Sequence, residues 1–146
     1  MSARKIAFVC LHGSAKSLIA AEYLNRRARE RKLDLHATTS GPEPDAAVPP
    51  NVIEGLLRRD IDARARRPER VSAEGLADAV HIVSFGCDLA ALAPPAAAIE
   101  RWDDCPAVSE DFDVAWHFIA ARVDDLMNRC SAKSSAHESE TNATSS

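Results

Sequence analysis

The stretch IAFVCLHGSAKS, residues 6–17, decides the fold of this chain. It opens with the apolar run Ile6–Val9, which is typical of a strand buried on both faces. Residues 10–15 then lead to a predicted helix from about Lys16 to Arg31, apolar on one side and rich in arginine on the other. A strand that passes through a short loop into a helix is the first unit of an α/β fold.

Strands and helices continue to alternate along the chain. Proline-rich residues 42–50 form a connection, after which Asn51 is predicted to cap a helix and Ser72 to cap a shorter one. Further strands are predicted at 35–39, 79–84 and 98–102, and a last amphipathic helix at about 114–129. This alternation indicates a parallel sheet covered by helices on both sides, with its working site at the carboxyl ends of the strands.

The composition of the chain indicates the class of protein and its cellular compartment. The 146 residues, 46% hydrophobic and 27% charged, fit one globular domain, and no apolar run is long enough for a membrane span or a secretory signal. We therefore expect a cytoplasmic protein with no membrane partner. A net charge of −4 and 5% aromatic content disfavour a nucleic acid partner. The Ser/Thr/Glu-rich end predicts a disordered tail over residues 131–146, after a domain over residues 1–130.

The loop after the first strand carries the predicted chemistry. Such a loop can turn successive backbone N–H groups inward as a nest for an oxyanion, and the helix N-terminus adds partial positive charge. Gly13 permits a backbone angle forbidden to most residues, and Lys16 supplies a full charge. The same field favours the thiolate of Cys10, which makes it a candidate nucleophile. The predicted oxyanion-binding residues are Leu11, His12, Gly13, Ser14, Ala15, Lys16 and Ser17.

The pattern Cys10-x5-Lys16-Ser17 between a strand and a helix resembles the low-molecular-weight protein tyrosine phosphatase superfamily. That superfamily also contains the thioredoxin-coupled arsenate reductases. The resemblance covers about residues 4–130 and rests further on Thr39-Ser40-Gly41, Leu56–Asp62, the strand into Ser84, and Trp102–Pro106. It implies a three-layer α/β fold of the phosphotyrosine phosphatase I type, whose four-stranded parallel sheet has the flavodoxin-like strand order 2-1-3-4.

Two positions depart from the family's pattern. Where the family closes the loop with Arg before Ser or Thr, this chain has Lys16, whose ammonium offers a point charge in place of a planar fork of donors. The phosphatases also place a general acid in a late Asp-Pro pair, and here Cys105 stands before the proline. Asp104 and Asp103 come just before Cys105, and either carboxyl is a candidate acid, with Asp104 the nearer.

The resemblance also bears on the remaining cysteines. Arsenate reductases of this superfamily have a resolving cysteine after the third strand, and Cys87 stands in that region, one residue later than the family's offset. Cys105 is the alternative resolving thiol if its loop folds over the site. We expect Cys130, at the end of the last helix, to be inert.

Three functions are open at this point. The first is a cysteine-dependent phosphatase acting on a phosphate monoester, such as that of a phosphoprotein, with Cys10 as nucleophile, Lys16 holding the oxyanion and Asp104 or Asp103 as acid. The second is an arsenate reductase that uses Cys10 and Cys87 and a thioredoxin-like reductant. The third is a catalytically weak, anion-binding regulatory module. None of the three implies a cofactor or a metal ion.

Overall fold

The computed structural model describes residues 4–95 and 97–145, with side chains described as far as residue 130. The elements in these residues are β1 Arg4–Cys10, α1 Lys16–Arg31, β2 Leu35–Ser40, α2 Pro50–Leu57, α3 Ala73–Leu76, β3 Ala79–Phe85, β4 Ala98–Arg101 and α4 Phe112–Ser145. Each predicted strand is present, and the bounds move by one or two residues at an end.

The four strands form one parallel sheet in the order β2-β1-β3-β4, which confirms the predicted α/β class and strand order. The central strand β1 is buried from Ile6 onward because helices cover both faces of the sheet. Ile6 and Phe8 face the layer formed by α1 and α4, whereas Ala7 and Val9 face the layer that contains α3. This alternation places successive side chains in opposite layers, so the fold has three layers.

Helix ends differ from the predictions in two places. The prediction that Asn51 caps α2 is wrong, because the helix begins at Pro50, and proline suits the first turn, where a backbone N–H has no partner. Ser72 does cap α3, and its hydroxyl accepts a 3.0 Å hydrogen bond from the amide of Gly75. The last helix, α4, continues past the predicted end at residue 129. The predicted domain end at residue 130 and the predicted disorder of residues 131–146 stay predictions.

A carboxylate joins β4 to α4. Glu100 accepts two 3.0 Å hydrogen bonds from Arg129 and one from the indole N–H of Trp102, and His81 lies 3.2 Å away. Burial alone would raise the pKa of Glu100, but these donors outweigh it and lower the pKa to about 2. The network holds Trp102 edge-on against Phe85, at the carboxyl end of the sheet.

None of the helices in residues 4–95 and 97–145 is long and apolar enough to cross a membrane.

Candidate active site

Cys10 ends β1, where the centre of the sheet meets the loop that leads into α1. Its buried sulfur lies 3.0 Å from the hydroxyl oxygen of Ser17 and accepts a 3.5 Å hydrogen bond from the Ser17 amide. The Ser17 hydroxyl lies 2.6 Å from that of Thr39 on β2. The amide and the hydroxyl of Ser17, at the start of α1, therefore both lie within hydrogen-bond distance of the sulfur.

The loop between Cys10 and α1 has the form of an anion nest. The amide of Gly13 donates to the carbonyl of Cys10 at 3.2 Å, and Gly13 has a φ of +61°, in the left-handed region that glycine adopts at low cost. The amides of residues 14–16 make no hydrogen bond to another described residue, and no side chain caps α1. These N–H groups are therefore available to a ligand, and the role of the loop in oxyanion binding stays a prediction.

The turn after β2 supports this loop from behind. A Cβ atom on Gly41 would lie 2.3 Å from the carbonyl oxygen of Cys10 and 2.5 Å from the amide nitrogen of Gly13. Real Cβ atoms do not approach other atoms so closely, so the two segments can pack in this way only with glycine at position 41.

The residues that follow Gly41 run alongside the loop and hydrogen-bond to it. The amide of Glu43 donates to the carbonyl of Leu11 at 2.9 Å, and the amide of Asp45 donates to the carbonyl of His12 at 3.2 Å. The imidazole Nδ1 of His12 lies 2.8 Å from the carbonyl oxygen of Glu43. Residues 43–45 therefore hold the outer side of the nest in place.

A cavity of about 310 Å³ opens above Cys10. Its loop wall contains six of the predicted site residues, which are Cys10, Leu11, His12, Ser14, Ala15 and Lys16. Its opposite wall comes from other elements and consists of Asp45, Pro49, Phe85 and residues 107–109. The predicted nucleophile and the predicted cation thus line the same cavity.

Lys16 is half-buried at the first position of α1. Within the described residues its ammonium makes no ion pair, so its charge is available to a ligand in the cavity. Burial raises the pKa of the Cys105 thiol to about 11, and the nearby Lys16 ammonium opposes that rise. The charge of Lys16 therefore acts on the thiol of Cys105 as well as on the cavity.

The two predicted acids point elsewhere. Asp104 pairs with Arg122 at 2.8 Å and Asp103 with Arg101 at 3.0 Å. Both carboxylates are largely exposed, and neither belongs to the residues that line the cavity. Each would have to leave its arginine to reach a ligand above Cys10, and the role of either as an acid stays a prediction.

Asp45 is a cavity residue that the sequence did not indicate. Its Oδ2 accepts a 2.6 Å hydrogen bond from the hydroxyl of Ser14, and its Oδ1 lies 3.7 Å from Nδ1 of His12. The available signal was its position after the second strand, since β2 neighbours β1 and both strands end at the same edge of the sheet.

Two other buried cysteines, Cys87 and Cys105, lie in different layers of the core. Cys87 follows Phe85, whose Cα pairs with that of Cys10, yet Cys87 packs with Val9 in the opposite layer of the core. Burial and the charge of a Cys10 thiolate raise the pKa of Cys87, while a hydrogen bond with Ser84 opposes the rise. Cys105 packs in the same apolar cluster as Cys10. Disulfide bonds join none of these cysteines.

No group of three or more His, Cys, Asp or Glu side chains among the described residues is placed to hold a metal ion.

Comparisons with known proteins find relatives of this chain. A family model described as "Low molecular weight phosphotyrosine protein phosphatase" matches residues 5–98. A Halobacterium salinarum protein provisionally named an arsenate reductase is 24% identical over 103 residues, which is 69% of this chain and 72% of that protein.

Two solved structures share the fold. A low molecular weight protein tyrosine phosphatase from T. tengcongensis has a TM-score of 0.78 and 16% identity, over 87% of this chain and 99% of that one. A thioredoxin-dependent arsenate reductase from Corynebacterium glutamicum has a TM-score of 0.73 and 18% identity, over 90% of this chain and 64% of that one. At these identities the structures establish the fold, and the two names describe two different reactions.

Proposed function

Because the chain belongs to the low molecular weight phosphotyrosine protein phosphatase family, we propose that it hydrolyses phosphate monoesters with Cys10 as the nucleophile. One observation carries this proposal. The Cys10 sulfur accepts the Ser17 amide at 3.5 Å, lies 3.0 Å from the Ser17 hydroxyl, and lines a cavity bordered by Lys16 and an anion nest. A nucleophile and the groups that hold its target oxyanion are thus present in one place.

The reaction proceeds in two steps. The Cys10 thiolate attacks phosphorus, forming a sulfur–phosphorus bond while the ester oxygen–phosphorus bond breaks and the leaving oxygen takes up a proton. Water then attacks the phosphocysteine, releasing inorganic phosphate and restoring the thiolate. In both steps the amides of residues 14–16 and the Lys16 ammonium stabilise the charge on the equatorial oxygens.

The cavity walls favour a substrate with an apolar group next to its phosphate. Pro49, Phe85 and Val108 face the nest, and a volume of about 310 Å³ holds a phosphate with one side chain or a small organic group. A phosphorylated aromatic side chain of another protein fits this description. We also propose a cytoplasmic location, since a catalytic thiol must stay reduced.

The test is turnover of an aryl phosphate by the pure protein and by two variants. Cys10→Ser should abolish turnover and still bind inorganic phosphate, because the nest is unchanged. Cys105→Ser is the matched control, since it removes a buried thiol that does not line the cavity. Equal turnover in the protein and in Cys10→Ser would refute the proposal. Phosphate binding with no turnover at all would favour an anion-binding regulatory module.

The second candidate function is arsenate reduction, favoured by the position of Cys87. This residue lies just beyond the backbone partner of Cys10, and burial together with the charge of a Cys10 thiolate raises the pKa of Cys87. In this reaction the Cys10 sulfur bonds to arsenic and displaces one arsenate oxygen, which leaves as water with the protons of the two thiols. The Cys87 sulfur then attacks Cys10, so that a disulfide forms, the sulfur–arsenic bond breaks and its electron pair leaves with arsenic as arsenite. A thioredoxin-like dithiol then reduces that disulfide.

Peptide mass mapping after reaction with arsenate tests the second candidate. A Cys10–Cys87 disulfide that thioredoxin reduces would support it, and Cys87→Ser should then abolish arsenite formation, because Cys10 alone cannot supply both electrons. A Cys10–Cys105 disulfide would assign the resolving role to Cys105. Arsenate treatment that leaves both thiols reduced would rule the reductase out.

A further inference from the structure

The carboxyl group of Asp45 shares the cavity with the Cys10 sulfur. We propose that Asp45 is the proton donor to the leaving group, an inference that rests on the proposed phosphatase activity. Among the described residues that line this cavity, Asp45 is the one with a carboxyl side chain.

The position of Asp45 is set by the backbone and by one side chain. Its amide donates to the carbonyl of His12 at 3.2 Å, which fixes the residue beside the nest. The Ser14 hydroxyl donates to Oδ2 at 2.6 Å, so this oxygen is held against the loop. The other oxygen, Oδ1, has no hydrogen bond to a described residue, and its nearest charged neighbour is His12 at 3.7 Å. The carboxyl is 38% exposed, which leaves Oδ1 accessible to a ligand.

The charges around Asp45 are suited to proton transfer. The titratable groups that face it across the cavity are His12, Lys16 and Cys10. A phosphate ester in the nest places two further negative charges beside the carboxyl, and like charges at short distance favour the protonated acid. Binding of the substrate therefore converts Asp45 into a proton donor at the moment a donor is needed.

Asp45 can supply and recover the proton without help from a second acid or base. As the Cys10 thiolate forms its bond to phosphorus, the proton of Asp45 moves to the departing oxygen and the alcohol leaves. The resulting carboxylate then accepts a proton from the water that attacks the phosphocysteine. Thiolate and protonated acid are both restored when phosphate leaves.

The leaving-group dependence of kcat/KM tests the proposal, because this ratio reports the cleavage of the ester bond. Phenolate is a poor leaving group that needs a proton, whereas 2,4-dinitrophenolate leaves without one. Asp45→Asn should lower kcat/KM for phenyl phosphate by about 100-fold and for 2,4-dinitrophenyl phosphate by less than about 3-fold. Since asparagine still accepts a hydrogen bond from Ser14, inhibition by inorganic phosphate should stay within about 3-fold of the unchanged protein.

Three control variants separate the role of Asp45 from that of nearby charges. Glu43→Gln removes a neighbouring carboxylate outside the cavity lining and should affect both esters equally. Asp103→Asn and Asp104→Asn should do the same. A selective loss with phenyl phosphate in either of these two, and not in Asp45→Asn, would overturn the proposal.

The failure of this inference can be told from the failure of the proposed function. Turnover that depends on Cys10, with equal losses for both esters in Asp45→Asn, would overturn the role of Asp45 alone. The absence of any Cys10-dependent turnover in the unchanged protein would overturn both.

Discussion

The hydroxyl oxygen of Ser17 lies 3.0 Å from the sulfur of Cys10, and both groups are buried where β1 meets α1. The pair links β1, which carries the proposed nucleophile, to the first turn of α1, beside the proposed oxyanion loop. Through a 2.6 Å contact with Thr39, the same hydroxyl also reaches the neighbouring strand.

Ser17→Ala should slow the chemistry of Cys10 by removing a donor to the thiolate. A hydrogen bond to a charged group contributes about 1.5–3 kcal/mol, so alkylation of Cys10 by iodoacetamide at pH 6 should slow by about 10-fold or more. Thr39→Val is the control, because it removes a hydroxyl that contacts Ser17 and not the sulfur. Equal alkylation rates in Ser17→Ala and the unchanged protein would contradict the prediction.

Gly41→Ala should destabilise the protein and distort the nest. The added methyl group would lie 2.3 Å from the carbonyl oxygen of Cys10, and relieving that clash requires backbone movement that costs about 2–4 kcal/mol. Urea denaturation and phosphate binding measure the two effects. Gly75→Ala is the matched control, since its methyl group meets only the Ser72 hydroxyl, at 3.2 Å. A stability loss of equal size in both variants would argue against the close approach.

Lys16→Arg should raise kcat/KM for an aryl phosphate by about 10-fold, because a guanidinium can bind two equatorial oxygens at once. Lys16→Met should lower it, since the cavity then loses its ammonium charge. Activity on arsenate is measured in parallel with the same variants. A gain confined to arsenate would indicate that the cavity is adapted to reduction.

Glu100→Gln should destabilise the protein by about 1–2 kcal/mol at pH 7, because the partly exposed carboxylate loses its charge-assisted hydrogen bonds. The folded-state pKa of about 2 lies below the ordinary value of 4.5, so this contribution is present above pH 4.5 and is lost as the pH falls toward 2. Urea midpoints across that range should converge for the two proteins. Asp125→Asn, which removes only an exposed contact with Arg129, is the control.

Cys105 should resist alkylation in the folded protein at pH 8. Burial raises its pKa to about 11, so nearly all of the thiol stays protonated at pH 8, and its reaction rate should keep rising with pH until about pH 11. In denaturant the same peptide should react as an ordinary cysteine, with a pKa near 9.0. Mass mapping after brief alkylation measures the modified fraction. Rapid labelling of Cys105 at pH 8 in the folded state would show that its loop opens.

Features that depend on neighbouring residues could be predicted from the sequence. The burial of Ile6–Val9, the loop glycine at position 13 and the start of α1 follow from the side-chain pattern within a few residues. The helix cap at Ser72 is equally local and was predicted, whereas Asn51 failed as a cap because the preceding prolines already satisfy the start of α2.

Which carboxyl group lies near Cys10 depends on tertiary structure. Asp104 follows β4 and lies two residues before Pro106, the proline that matches the family's pattern. Its carboxylate nevertheless forms an ion pair with Arg122, a residue of α4. No sequence feature close to Asp45 indicates a role in the site. Its hydrogen bond from Ser14 joins two residues that are 31 positions apart in the chain. Side-chain chemistry alone cannot choose between the two, because each carboxylate binds whichever partner the packing brings within reach.

The sequence by itself therefore determined the sheet, the position of Cys10 at its carboxyl edge and the loop from Cys10 to α1. The hydrophobic pattern, the loop glycine and the start of the helix all depend on residues close together in the chain. Only the tertiary structure decided what faces that loop. The close approach of Gly41 to Cys10 and the place of Asp45 in the cavity arise when β2 pairs with β1. That pairing sets distances between residues that are remote along the chain.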